Sequence, residues 1–318
     1  MKSNHTRSLK TLIILAAVIL AARIIRSFPW RGTYQALLGA NLLILGVALA
    51  VNLMSLVVKG TSWDILLRPL APHRWSSVQI ANLIGSAINC LSVSVAGEAV
   101  RIHSIVGRDR IPPEAGIISV IWERLIEGIG LAAFLIIAPI AIPLPGYLRR
   151  VQAGAAIIFS VFLFFILAKK NWRIPTWLPQ PVHKAALCMV QIGSWRRVGW
   201  PVLLGTLNWL IQWSAFHLTL AALGARPKLG ASLTALLVTN LSGVLRLTPA
   251  NVGIFQVTMV ASLVKFGVEA ERAMAASLAL QAIQALPVIL VGLLLLLPWT
   301  PQRSWRPTVT LGVQKKAL

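Results

Sequence analysis

Eight apolar segments fill most of this chain, and two of them carry polar residues at a density that a lipid-facing helix does not tolerate. Six are ordinary: residues 11–26, 34–58, 115–142, 151–168, 198–223 and 273–298. Each is close to the roughly 20 residues that cross a hydrocarbon core of about 30 Å. Backbone amides in such a slab must be satisfied within the chain, so these segments are expected to be helices. The other two, 77–97 and 230–253, hold Asn82, Ser86, Asn89, Ser92 and Ser94 in the first, and Thr234, Thr239, Asn240, Ser242, Arg246 and Thr248 in the second. Groups this polar are costly against lipid and are expected to be wrapped by other helices.

Composition agrees with a bilayer setting. Of the 318 residues, 57% are hydrophobic and 12% charged, with mean hydropathy +0.78, against about 25% charged in a soluble domain. Thirty Lys and Arg against eight Asp and Glu give a net charge of +22. The basic residues fall between apolar segments, where they meet anionic headgroups and set orientation, so nucleic acid is not an expected partner. Cys90 and Cys188 lack metal or redox spacing, and His5, His73, His103 and His183 are scattered, so no metal or other cofactor is expected. The basic and then apolar N-terminus resembles a secretory signal but lacks a small-residue cleavage site. Arg23, Arg26, Phe28 and Trp30 follow it, which predicts an uncleaved first transmembrane helix starting in the cytoplasm of a multi-pass inner-membrane protein.

Loop charge tests whether the two polar segments cross the membrane. If both cross, the two sides collect 14 and 15 basic residues; if both turn back, 19 lie inside and 10 outside, with Arg124 left within a span. The positive-inside rule favours the second arrangement. The predicted fold is therefore an all-α membrane domain over 1–318, with about six full spans and two re-entrant or broken segments that enter from opposite faces. Pseudo-repeats at about 34–168 and 198–298 are expected. A faint echo supports them: Asn82-Leu83-Ile84-Gly85 against Asn240-Leu241-Ser242-Gly243, Gly97 against Gly253, and Gly107 against Gly267. Inverted repeats with broken helices at the midplane are a common way to build a transporter site. Residues 169–197, with three Trp, prolines and six basic residues, read as an interfacial loop with an amphipathic piece near 184–192, and 299–318 as a basic tail.

The chemistry concentrates in Gly97, Glu98 and Arg101 and in Glu123, Arg124 and Glu127. An unpaired ion at mid-bilayer costs roughly 2.5–3.5 kcal/mol, so these residues must pair or face water. Glu123 and Glu127, four apart, share a helix face, while Arg124 points about 100° away and addresses another neighbour. The expectation is a Glu98–Arg124 pair that leaves Glu123 or Glu127 toward a polar cavity; a purely structural salt bridge is the competing account. In the second half, Pro249 and Gly253 break helical geometry within Arg246, Pro249, Asn251, Gly253 and Gln256. Freed amides and Arg246 there suit a lipid phosphate, and a simple proline kink fits equally well. Asn208, Gln212 and His217 read as hydrogen-bonding glue between helices. Sequence patterns for a serine hydrolase, a P-loop or a dinucleotide site are absent, so no enzyme is expected.

On these residues the chain resembles the lysylphosphatidylglycerol synthase transmembrane-region family, the flippase-like domain of multiple peptide resistance factors. Gly97, Glu98 and Arg101 match its Gly-Glu-x-x-Arg turn; Glu123, Arg124 and Glu127 match its Glu-Arg helix; Pro249, Gly253 and Gln256 match part of its Pro-Gly-Gly-x-Gly-x-x-Glu turn. Ser94-Val95-Ala96 replaces the proline expected before Gly97, and Ala250-Asn251 and Gln256 replace the glycine pair and the terminal acid. The resemblance implies translocation or presentation of an anionic phospholipid or lipid-linked glycan, not its synthesis. The alternative is a non-transporting accessory subunit that holds a polyprenyl or hopanoid lipid for a partner enzyme. Membrane lipids are the expected partners; a second copy and a lipid or glycan enzyme are both left open.

Overall fold

The computed structural model describes residues 28–92, 96–140, 146–168, 179–243 and 248–296. The expected first span, Ser94, Arg246 and the basic tail lie outside the described residues. Within them the chain forms α1 (Trp30–Leu38), α2 (Leu42–Leu67), α3 (Trp75–Leu91), α4 (Ala96–Asp109), α5 (Pro113–Ile137), α6 (Gly146–Ala168), α7 (Gln180–Ile192), α8 (Trp195–Ala222), α9 (Leu229–Gly243), α10 (Ile254–Val264) and α11 (Ala270–Leu296). No strand occurs among the described residues.

Helices α2, α5, α6, α8 and α11 have 23 to 28 residues each, about 35–42 Å at 1.5 Å per residue. By length and composition α2 and α11 are apolar enough to cross a membrane. Helix α5 is as long but carries Glu123, Arg124 and Glu127 in its middle. The centre of the bundle is α2 laid along α8, with α5 packed against both. Small residues permit the close crossings, the usual device where no water is present to drive helices together. A Cβ added to Gly130 would come within 2.6 Å of the Gly205 carbonyl carbon, and one added to Gly292 within 2.4 Å of Ala87 Cβ and 3.0 Å of the Leu83 carbonyl oxygen. These contacts join α5 to α8 and α11 to α3.

Both polar segments are helix–break–helix units. The first is α3 and α4, packed side by side, with Gly85 and Gly97 back to back: a Cβ on Gly97 would sit 2.1 Å from the Gly85 oxygen. Its open end is tied by Asp109, which accepts from the Arg74 N–H at 2.8 Å and from Ser77 Oγ at 2.8 Å. The unit is longer than the sequence suggests. Residues 101–110 were expected in a loop, yet they form most of the returning arm α4, and Arg101 is buried within it. Its charge misleads because that charge is paired inside the fold. The second unit is α9, a 3₁₀ turn at Pro249–Asn251, and α10; Ser242 Oγ meets Thr258 Oγ1 across it at 3.3 Å.

The two units open toward opposite ends of the bundle. At one end the Gln191 amide donates to the Pro69 carbonyl and Lys184 lies 4.0 Å from Glu114, bringing α7 against the connections that flank the first unit. At the other, the Asn41 N–H donates to the Ala222 carbonyl at 2.9 Å and Arg272 to the Gly224 carbonyl at 3.0 Å, beside the base of the second. In the last turn of α2, buried Asp64 accepts from Arg68 Nη2 at 2.7 Å and sits 3.0 Å from His73 Nε2, while His73 Nδ1 lies 2.9 Å from the Ala71 carbonyl. This clasp fixes the turn into α3. The amphipathic piece is α7, flanked by exposed Trp195 and Trp200. Asn208 and His217 act as glue: Ser55 Oγ donates to Asn208 Oδ1 at 2.6 Å, and Ser232 Oγ meets His217 Nδ1 at 3.1 Å.

Candidate functional site

Six side chains from three helices form a continuous line of alternating charge. Glu98 stands in the first turn of α4, where the helix dipole favours an acid, and Arg101 follows one turn later on the same face. Arg101 Nε lies 2.7 Å from Glu98 Oε2, and its Nη2 donates to Glu123 Oε2 on α5. Arg124 Nη2 donates to Glu98 Oε1 and its Nη1 to Glu127 Oε2 at 2.5 Å. Lys59 on α2 closes the line, with Nζ 2.6 Å from Glu127 Oε1. Three cations and three carboxylates leave the group neutral as a whole, which is what lets it sit among apolar helices.

The surroundings hold the line in place. The Arg101 guanidinium lies over the Trp63 ring, 4.7 Å from its centre, and Trp63 Nε1–H donates to Ser119 Oγ at 2.9 Å. Asn89 Oδ1 accepts from the Gly97 N–H at 3.1 Å, anchoring the start of α4 to α3. Exposure peaks at Arg124. The side chains of Arg101 and Glu123 are 3% and 2% exposed, Glu98 14%, Lys59 and Glu127 23%, and Arg124 40%. Arg124 lies about 11 residues into the 25-residue α5, between the exposed apolar side chains of Ile121 and Leu125.

The expected Glu98–Arg124 pair is present. Arg124 does not, however, turn away from the acids of its own helix: its long side chain also reaches Glu127, three residues on. Neither Glu123 nor Glu127 is left without a cation. One oxygen of Glu123, Oε1, has no hydrogen-bond partner and is buried. Glu123 borders a small cavity of about 10 Å³ between α2, α5 and α8, whose wall includes Lys59, Ser62, Glu127, Gly205 and Asn208. Lys59 escaped the sequence reading because a lysine near the end of an apolar span ordinarily extends to the headgroups.

The second turn is a separate, neutral construction. Ala250, Asn251 and Gly253 have φ of 51°, 55° and 89°, a left-handed run that glycine adopts without cost and the other two do not. Amides hold it. The Gly253 N–H donates to Gln256 Oε1 at 2.6 Å, Gln256 Nε2 donates to Gln281 Oε1, and Gln281 Nε2 donates to the Ala250 carbonyl at 2.7 Å. Pro249–Asn251 packs against α3, so the second turn abuts the outgoing arm of the first unit. A wider cavity of about 780 Å³, bordered by Gln35, Arg226, Glu269 and Arg272 among others, opens at the end where the second unit has its base. It shares no residue with the charged line.

An all-helical bundle with apolar outer faces and a neutral line of ions held within it is a membrane protein. The chain belongs to the family described as "Lysylphosphatidylglycerol synthase TM region", which matches residues 8–292. It is also similar to a "UPF0104 membrane protein" of Methanothermobacter thermautotrophicus, 26% identical over 302 residues that cover 84% of this chain and 85% of the relative.

Proposed function

We propose that this chain moves the headgroup of an anionic phospholipid or lipid-linked glycan across the membrane, with Arg124 as the docking cation. The observation that carries the reading is the position of Arg124: a half-exposed cation midway along a spanning-length helix, flanked by apolar side chains. An ion there needs an anion or water, because lipid tails offer neither. The pairing supports an exchange. Each carboxylate that holds Arg124 has a second cation, Arg101 for Glu98 and Lys59 for Glu127. A phosphate can therefore take Arg124 without leaving an acid bare. No bond is made or broken in the lipid.

The translocation reading includes an inverted repeat, with α2 to α5 answering α8 to α11 and the two broken units entering from opposite faces. It places the connections at 67–75 and 109–113 in the cytoplasm. Single cysteines put at Arg74 and Arg110 should then react with a membrane-impermeant maleimide from the same side, and cysteines at Arg226 and Lys265 from the other. If positions 74 and 110 label from opposite sides, the first unit crosses the membrane and the path is lost.

Translocation itself is tested in sealed vesicles holding a phosphatidylglycerol with a fluorescent headgroup. The full chain should speed its movement between leaflets at least tenfold over protein-free vesicles, and speed a zwitterionic analogue less. Tight binding of the lipid with no movement would instead favour the accessory, lipid-presenting role.

A further inference from the structure

The feature that headgroup docking does not use is the bare oxygen of Glu123. Its carboxylate is 1% exposed as a residue. Oε2 is held by Arg101, while Oε1 has no hydrogen-bond partner among the described residues, and Glu123 lines the cavity between α2, α5 and α8. Ser62, whose Oγ is also buried and without a hydrogen-bond partner among the described residues, lines the same space. A buried carboxylate oxygen with nothing to accept from is expensive. The cavity, at about 10 Å³, has room for roughly one water. Lys59 and Glu127, both partly exposed, stand on its wall and lead outward.

We propose that Glu123 Oε1 is a proton-binding site, served through this cavity, and that its proton is taken up together with the anionic headgroup. Hydronium gives its proton to Oε1; an O–H bond forms, water is released, and the carboxylate becomes a neutral acid. Nothing is oxidised or reduced. The titratable and charged groups around it are Arg101 and Glu98 from α4, Lys59 from α2, and Arg124 and Glu127 from α5 itself. Helix α8 contributes Asn208, which does not titrate. Before uptake the line holds three charges of each sign; afterwards it carries one net positive charge. Arg101 keeps Glu98 and its stack on Trp63, so the fold is not left with a bare cation. The surplus charge is one that a phosphate diester on Arg124 cancels. Proton and headgroup thus favour each other's binding, and by linkage the effect is reciprocal.

The lipid half of this proposal rests on the translocation reading, and the proton half does not, so the two are measured separately. For the first, dihexanoyl phosphatidylglycerol is titrated into the detergent-solubilised full chain by calorimetry in two buffers of different ionisation enthalpy. Wild type should take up close to one proton per lipid, with affinity rising as pH falls, by up to about tenfold per unit for a single linked proton. Glu123→Gln, which imitates the neutral acid, should bind at least as tightly, with no proton uptake and no pH dependence. For the second, Trp63 reports without lipid. Its fluorescence, taken as the difference between wild type and Trp63→Phe, should titrate in the wild-type background and not in the Glu123→Gln background. Ser62→Ala, which leaves both partners of Arg101 in place, should shift that titration. If wild type fails to bind the lipid, the translocation reading falls. If it binds without proton uptake, or if Glu123→Gln takes up the same proton, the proton site is refuted and translocation stands.

Discussion

Arg101→Met should destabilise the protein by about 3–5 kcal/mol, the cost of removing one partner from a buried ion pair. The substitution keeps the bulk of the side chain but strips Glu123 of its only cation among the described residues and takes the cover from Trp63. Glu98 is spared, because Arg124 remains beside it. The loss should be visible as a lower midpoint of unfolding in detergent. Adding Glu123→Leu should restore most of it, since a buried pair replaced whole by apolar groups is often neutral or better. An Arg101→Met protein as stable as wild type would mean that the pair carries no weight in the fold.

Arg124→Gln should do the reverse. Arg124 is half-exposed, and both of its acids keep another cation, so stability should change by less than about 1 kcal/mol. Headgroup movement should fall by about ten- to a hundredfold, because a charge-assisted hydrogen bond of about 1.5–3 kcal/mol is lost at the docking step. Arg124→Lys keeps the charge without the fork and should recover part of the rate. Unchanged translocation by Arg124→Gln would remove Arg124 from the path while leaving the helices as described. The contrast between Arg101 and Arg124 separates a cation that holds the bundle from one that serves a ligand, although the two share Glu98.

The sequence was most legible where lipid imposes strict rules. Long apolar helices declare themselves by composition, although the segment expected at 34–58 is broken after Leu38 and continues as α2 to Leu67, and the two odd segments declare themselves by Asn82, Asn89, Thr239 and Asn240. The breaks fall close to where Gly97, Pro249 and Gly253 placed them. Pairing partners were legible only in part. Glu98 and Arg124 could be matched because both are rare ions at similar depth. Arg101 could not be placed, since a short arm rich in His, Arg and Asp looks like a loop until Arg101 and Glu98 are seen to pair with Glu123 and Arg124 of α5. Lys59 carried no signal distinguishing an inward from a snorkelling lysine. In the second turn, Pro249, Asn251, Gly253 and Gln256 are drawn together as expected, but the partner that closes the turn is Gln281, about 25 residues downstream in an otherwise apolar helix. Periodicity has no means of announcing such a contact.

The tight meeting of Gly292 with Ala87 and Leu83 has a consequence for the hydrocarbon part of any lipid handled here. On the translocation reading, acyl tails stay in the bilayer while their polar end travels, which requires the protein to be unsealed along one flank. Where Gly292 of α11 meets α3 there is no room even for an added methyl group, so that crossing leaves no gap for an acyl chain. On the same reading the tails would lie where Arg124 emerges between the exposed side chains of Ile121 and Leu125, a greasy rim on which a lipid could hang while its charged end is passed inward.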